Sequence, residues 1–242
     1  MSLAIPASNT LATGAPLVRN EERPACRYED LGRMDYTLAW ELQRDYVERR
    51  KAGLIEDRLL FVEHPHVVTL GRNAKNENLL LTAERYRELG IDLQTTDRGG
   101  DVTYHGPGQI VGYPILDLKE WKRDVVAYVR ALEQVMIGAV GEFGIEAEQV
   151  CGCTGVWVKG AKLAAIGVHI SRWVTSHGFA LNLAPPMEYF GYIVPCGLTK
   201  PITSMELLLG EAPRRAEVVK ALQEHFGLVF GRRMEPQSLT RE

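Results

Sequence analysis

The chain has no run of about 18 apolar residues, so nothing in it reads as a membrane-spanning helix. Cysteine is scarce: Cys26, Cys151, Cys153 and Cys196 are too few for a disulfide scaffold in 242 residues, and a reduced, cytoplasmic protein is expected. Surplus positive charge is missing too. The 28 basic and 31 acidic residues leave a formal charge of -3. The basic clusters (Arg49, Arg50, Lys51 and Arg232, Arg233) are short and fall at expected helix ends. No nucleic-acid partner is therefore expected. The first 19 residues lack the basic start and compact apolar stretch of a secretory leader. There is no Gly-Lys-Ser/Thr phosphate loop, no G-x-G-x-x-G and no G-x-S-x-G, so nucleotide cradles and serine hydrolysis find no support. Repeats and low-complexity blocks are absent as well. One domain over residues 26–232 is expected, between tails at 1–25 and 233–242.

What is present is ordinary for a globular chain: 45% apolar and 24% charged residues, in a length that buries roughly 70–75% of its unfolded surface. Tyr36, Ala39, Leu42 and Tyr46 step as one helix face toward Gly53. Residues 59–63 and 67–70 read as strands, separated by His64-Pro65-His66. A short helix follows Thr82 and stops at Gly90, and residues 113–118 read as another strand. Val125, Val129, Leu132, Met136 and Val140 mark the clearest helix, over 122–143. Residues 155–158 and 163–170 form a hairpin around Lys159-Gly160, residues 179–183 a further strand, and 214–226 a last helix ending at Gly227. Strands and helices alternate without a regular βαβ period. This predicts a single α/β (α+β) domain with a mixed sheet rather than a doubly wound fold.

Three features point to chemistry. Residues 99–112 hold five glycines in fourteen positions, interleaved with Thr103, Tyr104, His105 and Gln109. Glycines let a backbone approach a ligand and Pro107 stiffens the loop, so a shaped binding loop is expected. Cys196 stands between Pro195 and Gly197. That setting either presents a nucleophile beside free backbone N–H groups or simply buries a small side chain. Lys162 opens an apolar strand rather than a solvated face. Burial and a neighbouring thiolate act in opposite directions on an ammonium, the condition for exchanging a proton near neutrality. Six histidines (His64, His66, His105, His169, His177, His225) are further candidates that spacing does not rank. Cys151 and Cys153 form a C-x-C without the second pair or the spacing of a zinc site, so no metal is expected.

The stretch 98–109, continued by Ile110-Val111-Gly112-Tyr113-Pro114-Ile115-Leu116-Asp117-Leu118, resembles the signature of the lipoyl(octanoyl) transferases, the lipoate–protein ligase B family. The resemblance extends through Glu63-His64-Pro65, Thr69-Leu70-Gly71-Arg72, Gly155-Val156-Trp157-Val158, residues 162–173, His177-Gly178-Phe179-Ala180-Leu181-Asn182 and Pro195-Cys196-Gly197. It spans roughly residues 31–206. It implies a fold like that of biotin and lipoate ligases: a mixed sheet flanked by helices, plus a smaller sheet. It implies an acyltransferase that needs no cofactor, with octanoyl-acyl carrier protein as donor. The implied acceptors are lipoyl domains of 2-oxoacid dehydrogenase E2 subunits and the glycine-cleavage H protein. The family's acid/base dyad falls on Cys196 and Lys162. Its substrate-binding stretches fall on Arg98, Gly99, Gly100, Asp101, Val102, Thr103, Tyr104 and His105, on Ala165, Ile166 and Gly167, and on Gly178, Phe179 and Ala180. The competing readings are an ATP-dependent lipoate or biotin ligase, a lipoyl amidotransferase, and a non-catalytic acyl-binding module.

Overall fold

The computed structural model describes residues 22–194 and 200–237. Its large sheet runs in the order β11 (Arg233–Pro236), β1 (Ala25–Arg33), β2 (Asp57–Glu63), β6 (Gln109–Ile115), β10 (Val174–Asn182), β9 (Ala161–Ser171), β8 (Cys153–Val158), β7 (Glu148–Val150). The pairs β11–β1 and β1–β2 are parallel, and every other neighbouring pair is antiparallel. A second sheet has the order β4 (Asp92–Thr95), β3 (Val67–Leu70), β5 (Val102–His105). This is the expected mixed architecture.

The strand β2 shows why the sheet sits between two helical layers. Its Leu-Leu-Phe-Val core does not alternate with polar residues, because both faces are covered. Leu60 and Val62 pack with Ala39 of α1 (Tyr36–Lys51). Leu59 and Phe61 join the larger core under α3 (Val125–Gly141) and α5 (Arg215–Phe230). Two shorter helices, α2 (Ala83–Glu88) and α4 (Met205–Leu209), complete the fold. Thr82 caps α2 as its position implies, its hydroxyl accepting from Arg85 N at 3.3 Å.

Three departures from the expected layout have physical causes. The helix α5 does not stop at Gly227 but continues to Phe230 and ends on Gly231. A Cβ on Gly227 would stand 2.8 Å from Met234 Cγ, so this glycine serves the approach of β11 rather than a cap. Residues 233–236, expected in a tail, form an edge strand paired with β1. Of the basic clusters, Arg50 and Arg232 turn inward. Asp57, buried at the start of β2, binds Arg50 Nε through Oδ1 and Arg232 Nε through Oδ2, both at 2.8 Å. Arg50 also reaches Glu120 at 2.7 Å. Replacing Asp57 by alanine takes the carboxylate partner from buried Arg232 and one of the partners of Arg50, which keeps Glu120, and a loss of about 3–5 kcal/mol is expected. Denaturant melting of Asp57→Ala against the parent checks this; a change below about 1 kcal/mol would contradict it.

Candidate active site

A cavity of about 590 Å³ opens where β9, β10, the glycine-rich loop, α1 and the start of α3 meet. Arg98, Gly99, Gly100, Thr103, His105, Lys162, Ala165, Ile166, Gly167, Gly178, Phe179 and Ala180 line it. Twelve residues singled out in the sequence from separate stretches are thus brought together. Three others do not line it. Val102 and Tyr104 pack in the core under the small sheet, and Asp101 accepts hydrogen bonds from Lys75 N and Val102 N.

Arg98 explains the shape of the loop. Its guanidinium is buried and points home rather than outward: Nη2 donates to Thr69 O at 2.6 Å and Asp101 O at 2.7 Å, Nε to Thr69 Oγ1 at 3.1 Å, and Nη1 to Gly99 O at 3.0 Å. It pins the glycine-rich loop to β3. Glu63 holds the other end, accepting from Gly108 N at 3.0 Å. Gly112 makes room for one of the lining rings: it pairs with Phe179 across the strands, and a Cβ there would lie 2.2 Å from the Phe179 ring.

The remaining lining includes Tyr36, Val111, Tyr113, Val125, Val129 and Thr154, to which the sequence reading gave no individual site role, together with Cys153, weighed there only for metal, and His177, an unranked candidate. Tyr36, Val125 and Val129 were legible only as helix-face positions, and the cavity uses the ends of those faces. His177 carries a stronger signal, because its φ of +55° is rare for a residue with a side chain. Gln43 Oε1 accepts its backbone N–H at 2.8 Å and Asp97 Oδ1 accepts from its Nε2 at 2.7 Å. That bond is the main reason the Asp97 carboxyl is pulled down to about 2. Burial raises the Tyr36 phenol to about 12, so Tyr36 keeps its proton and faces His177 Nδ1 at 3.4 Å.

His64 sits beneath this group with both ring nitrogens spent. Nδ1 donates to Met34 O at 2.7 Å, because a carbonyl can only accept, and Nε2 then accepts from the Tyr113 hydroxyl at 2.8 Å. Burial lowers its pKa to about 4. The folded state therefore takes up a proton later than the unfolded chain, whose histidines titrate near about 6.5. Stability is fully present above that value and is lost as pH falls through about 6.5 toward about 4. The loss from this residue is roughly 3 kcal/mol at the lower end. Urea midpoints measured from pH 7 to pH 4 are expected to fall, and to fall less in His64→Gln. Equal slopes in the two proteins would remove His64 as a cause.

Lys162 lies on β9 next to an irregularity in its pairing with β8. Val156 opposes Ala164 but Trp157 opposes Lys162, so β9 carries one extra residue there. Such bulges re-aim neighbouring side chains. The Lys162 ammonium lies 4.8 Å from the centroid of the Trp157 ring, and Lys200 approaches the same ring at 4.8 Å. Lys200 Nζ also donates to Cys153 Sγ at 3.3 Å. On its other edge the Lys162 backbone pairs with the segment 201–203: Lys162 N donates to Pro201 O at 2.8 Å and Thr203 N to Lys162 O at 3.0 Å. Cys196 lies outside the described residues. The described residues before it are also tied down, with Val194 N donating to Asn78 O at 2.9 Å.

The profile of the lipoyl protein ligase A/B catalytic domain matches residues 35–227. The chain belongs to this family. The octanoyltransferase of Solibacter usitatus is 56% identical over 211 residues, covering 87% of this chain and 96% of the relative. That of Koribacter versatilis is 50% identical over 207 residues, covering 83% and 82%. The enzyme is therefore an acyltransferase, as relatives named octanoyltransferases are. Among solved structures, a bipartite lipoate protein ligase from Thermoplasma acidophilum superposes with a TM-score of 0.71, covering 89% of this chain and 88% of the other at 14% identity. A lipoate-protein ligase A bound with ATP gives 0.69, covering 90% of each. At that identity these likenesses speak for the ligase-type fold.

Proposed function

We propose that the enzyme moves octanoyl from acyl carrier protein to a lysine of lipoyl domains through a thioester on Cys196, with Lys162 carrying the proton. The acceptors in this reading are E2 subunits of 2-oxoacid dehydrogenases and the glycine-cleavage H protein, in the cytoplasm. The observation that carries it is the pairing of Lys162 with residues 201–203, which ties the proposed base to the chain five residues beyond Cys196.

The chemistry runs in two halves. The Cys196 thiolate adds to the carbonyl of the donor thioester. The donor thiol leaves with a proton from the Lys162 ammonium, and octanoyl remains on Cys196. The acceptor amine then attacks this thioester, neutral Lys162 takes the amine's proton, and the Cys196 thiolate is released with formation of the amide. Thioester exchange is nearly neutral and amide formation runs downhill, so no nucleotide has to be spent. The apolar part of the cavity wall (Val111, Ile166, Phe179, Ala180) suits the octanoyl tail. Each buried methylene contributes about 0.8 kcal/mol. Gly99 N–H is not an oxyanion donor in this scheme, since it is committed to Val168 O at 2.9 Å.

Intact-protein mass spectrometry after mixing with octanoyl-acyl carrier protein, without ATP, tests the reading. An octanoyl adduct mapped to Cys196 that is discharged by a lipoyl domain is expected. Transfer appearing only with ATP and free fatty acid would move the enzyme to the ligases. Binding without transfer under either condition would leave an acyl-binding module.

A further inference from the structure

We propose that Glu133 is a positioning residue for Lys162, acting through Gly155. The proposal rests on the reading that Lys162 carries the proton.

Glu133 stands on the inner face of α3 among Leu132, Val135 and Met136, with its side chain 0% exposed. A carboxylate there is costly unless donors meet it. Arg130, one turn earlier, reaches Oε2 at 2.7 Å. The other oxygen, Oε1, accepts the backbone N–H of Gly155 at 2.9 Å. Helix packing alone has no use for this acid; an apolar side chain would fill the position. Its purpose lies on the strand it touches.

Gly155 immediately precedes the irregular pair in β8, and the β8–β9 register begins only at Val156. Its φ is +122°, a conformation that side chains disfavour. A Cβ at this position would stand 2.5 Å from Ala164 O and 3.5 Å from Lys162 Cε. The bare Gly155 backbone is therefore the surface against which the Lys162 stem lies, while its ammonium rests by Trp157. The hydrogen bond from Gly155 to Glu133 fixes that surface just before the β8–β9 register begins. Without an acceptor at 133, a buried N–H is orphaned, the β8 backbone shifts to satisfy it, and the lysine loses its seat.

The test compares Glu133→Gln, which keeps the shape and an acceptor oxygen, with Glu133→Ala, which keeps neither. The primary readout needs no turnover: competitive acetylation by acetic anhydride, with the rate at Lys162 measured by mass spectrometry relative to exposed Lys220. In folded Glu133→Ala the relative Lys162 rate is expected to change at least threefold, and in Glu133→Gln to stay within twofold of the parent. The kcat of Glu133→Ala is expected to drop at least tenfold with the KM for octanoyl-acyl carrier protein unchanged, and Glu133→Gln to recover most of it. Folded Glu133→Ala with unchanged Lys162 labelling would overturn the proposal. So would a variant whose only change is a lower melting temperature. If Lys162→Ala proved fully active, the proton-carrier reading would fail, whereas the labelling comparison would still report whether Glu133 sets the lysine's surroundings.

Discussion

Cys196→Ala is expected to lose both the octanoyl adduct and the transfer, with the rate falling to below about one ten-thousandth of the parent's. The two losses must go together if the reaction is ping-pong, since the adduct is the only route from donor to acceptor. Single-turnover mixing with octanoyl-acyl carrier protein, followed by addition of a lipoyl domain, measures each half separately. A variant that forms no adduct yet still transfers would mean direct attack of the acceptor amine on the donor thioester, and the site would then act by juxtaposition alone. Serine at 196 is a sharper probe. It keeps the small size while replacing the thiol by a poorly ionised hydroxyl, so its residual rate reports thiolate chemistry rather than packing.

The second large effect is expected at Lys162. Removing the amine in Lys162→Ala should slow both half-reactions by about 10²–10⁴-fold, the usual worth of a placed proton carrier. The pH profile of Cys196 alkylation should move upward, because the thiolate loses a nearby cation. Lys162→Arg separates the two roles. A guanidinium keeps the positive charge but does not release its proton in proteins, so alkylation near neutral pH should stay close to the parent while amide formation stays slow. If Lys162→Arg restored turnover, charge would be the whole contribution of this residue. An unchanged alkylation profile in Lys162→Ala would remove it from the dyad.

These expectations rest on features of unequal legibility. The site motifs were legible in the sequence chiefly through the family resemblance, which short stretches of particular residue types carry. A loop of five glycines stands out by itself, whereas the cysteine between proline and glycine and the lysine opening an apolar strand took their roles from the family resemblance. The cavity brings together residues from three of these stretches: Arg98, Gly99, Gly100, Thr103 and His105, then Lys162 with Ala165, Ile166 and Gly167, then Gly178, Phe179 and Ala180. The part played by Arg98 could not be read in this way. The resemblance puts it among the substrate-binding positions; in the structure it lines the cavity while its guanidinium bonds to Thr69, Gly99 and Asp101 and so shapes the loop. Val125 and Val129 read only as one face of a helix, and their place on the cavity wall depends on where α3 begins over the sheet.

The sequence by itself determined the existence and kind of the main helices and strands, because hydrophobic period and capping residues act within a few positions. It also determined the mixed sheet, since the irregular order of strands and helices excludes a repeating crossover. Only the tertiary structure decided the edges and the counter-charges. The strand β1 is largely polar outside Cys26 and becomes a strand by pairing on both sides with β2 and β11. Gly227 looked like a helix stop and proved to be a contact surface for Met234. Arg50 and Arg232 read only as short basic clusters at helix ends and proved to be counter-ions of buried Asp57. The reason is common to all three. Pairing, close approach and charge compensation are set by residues distant in the chain, and no local pattern records which of them will meet.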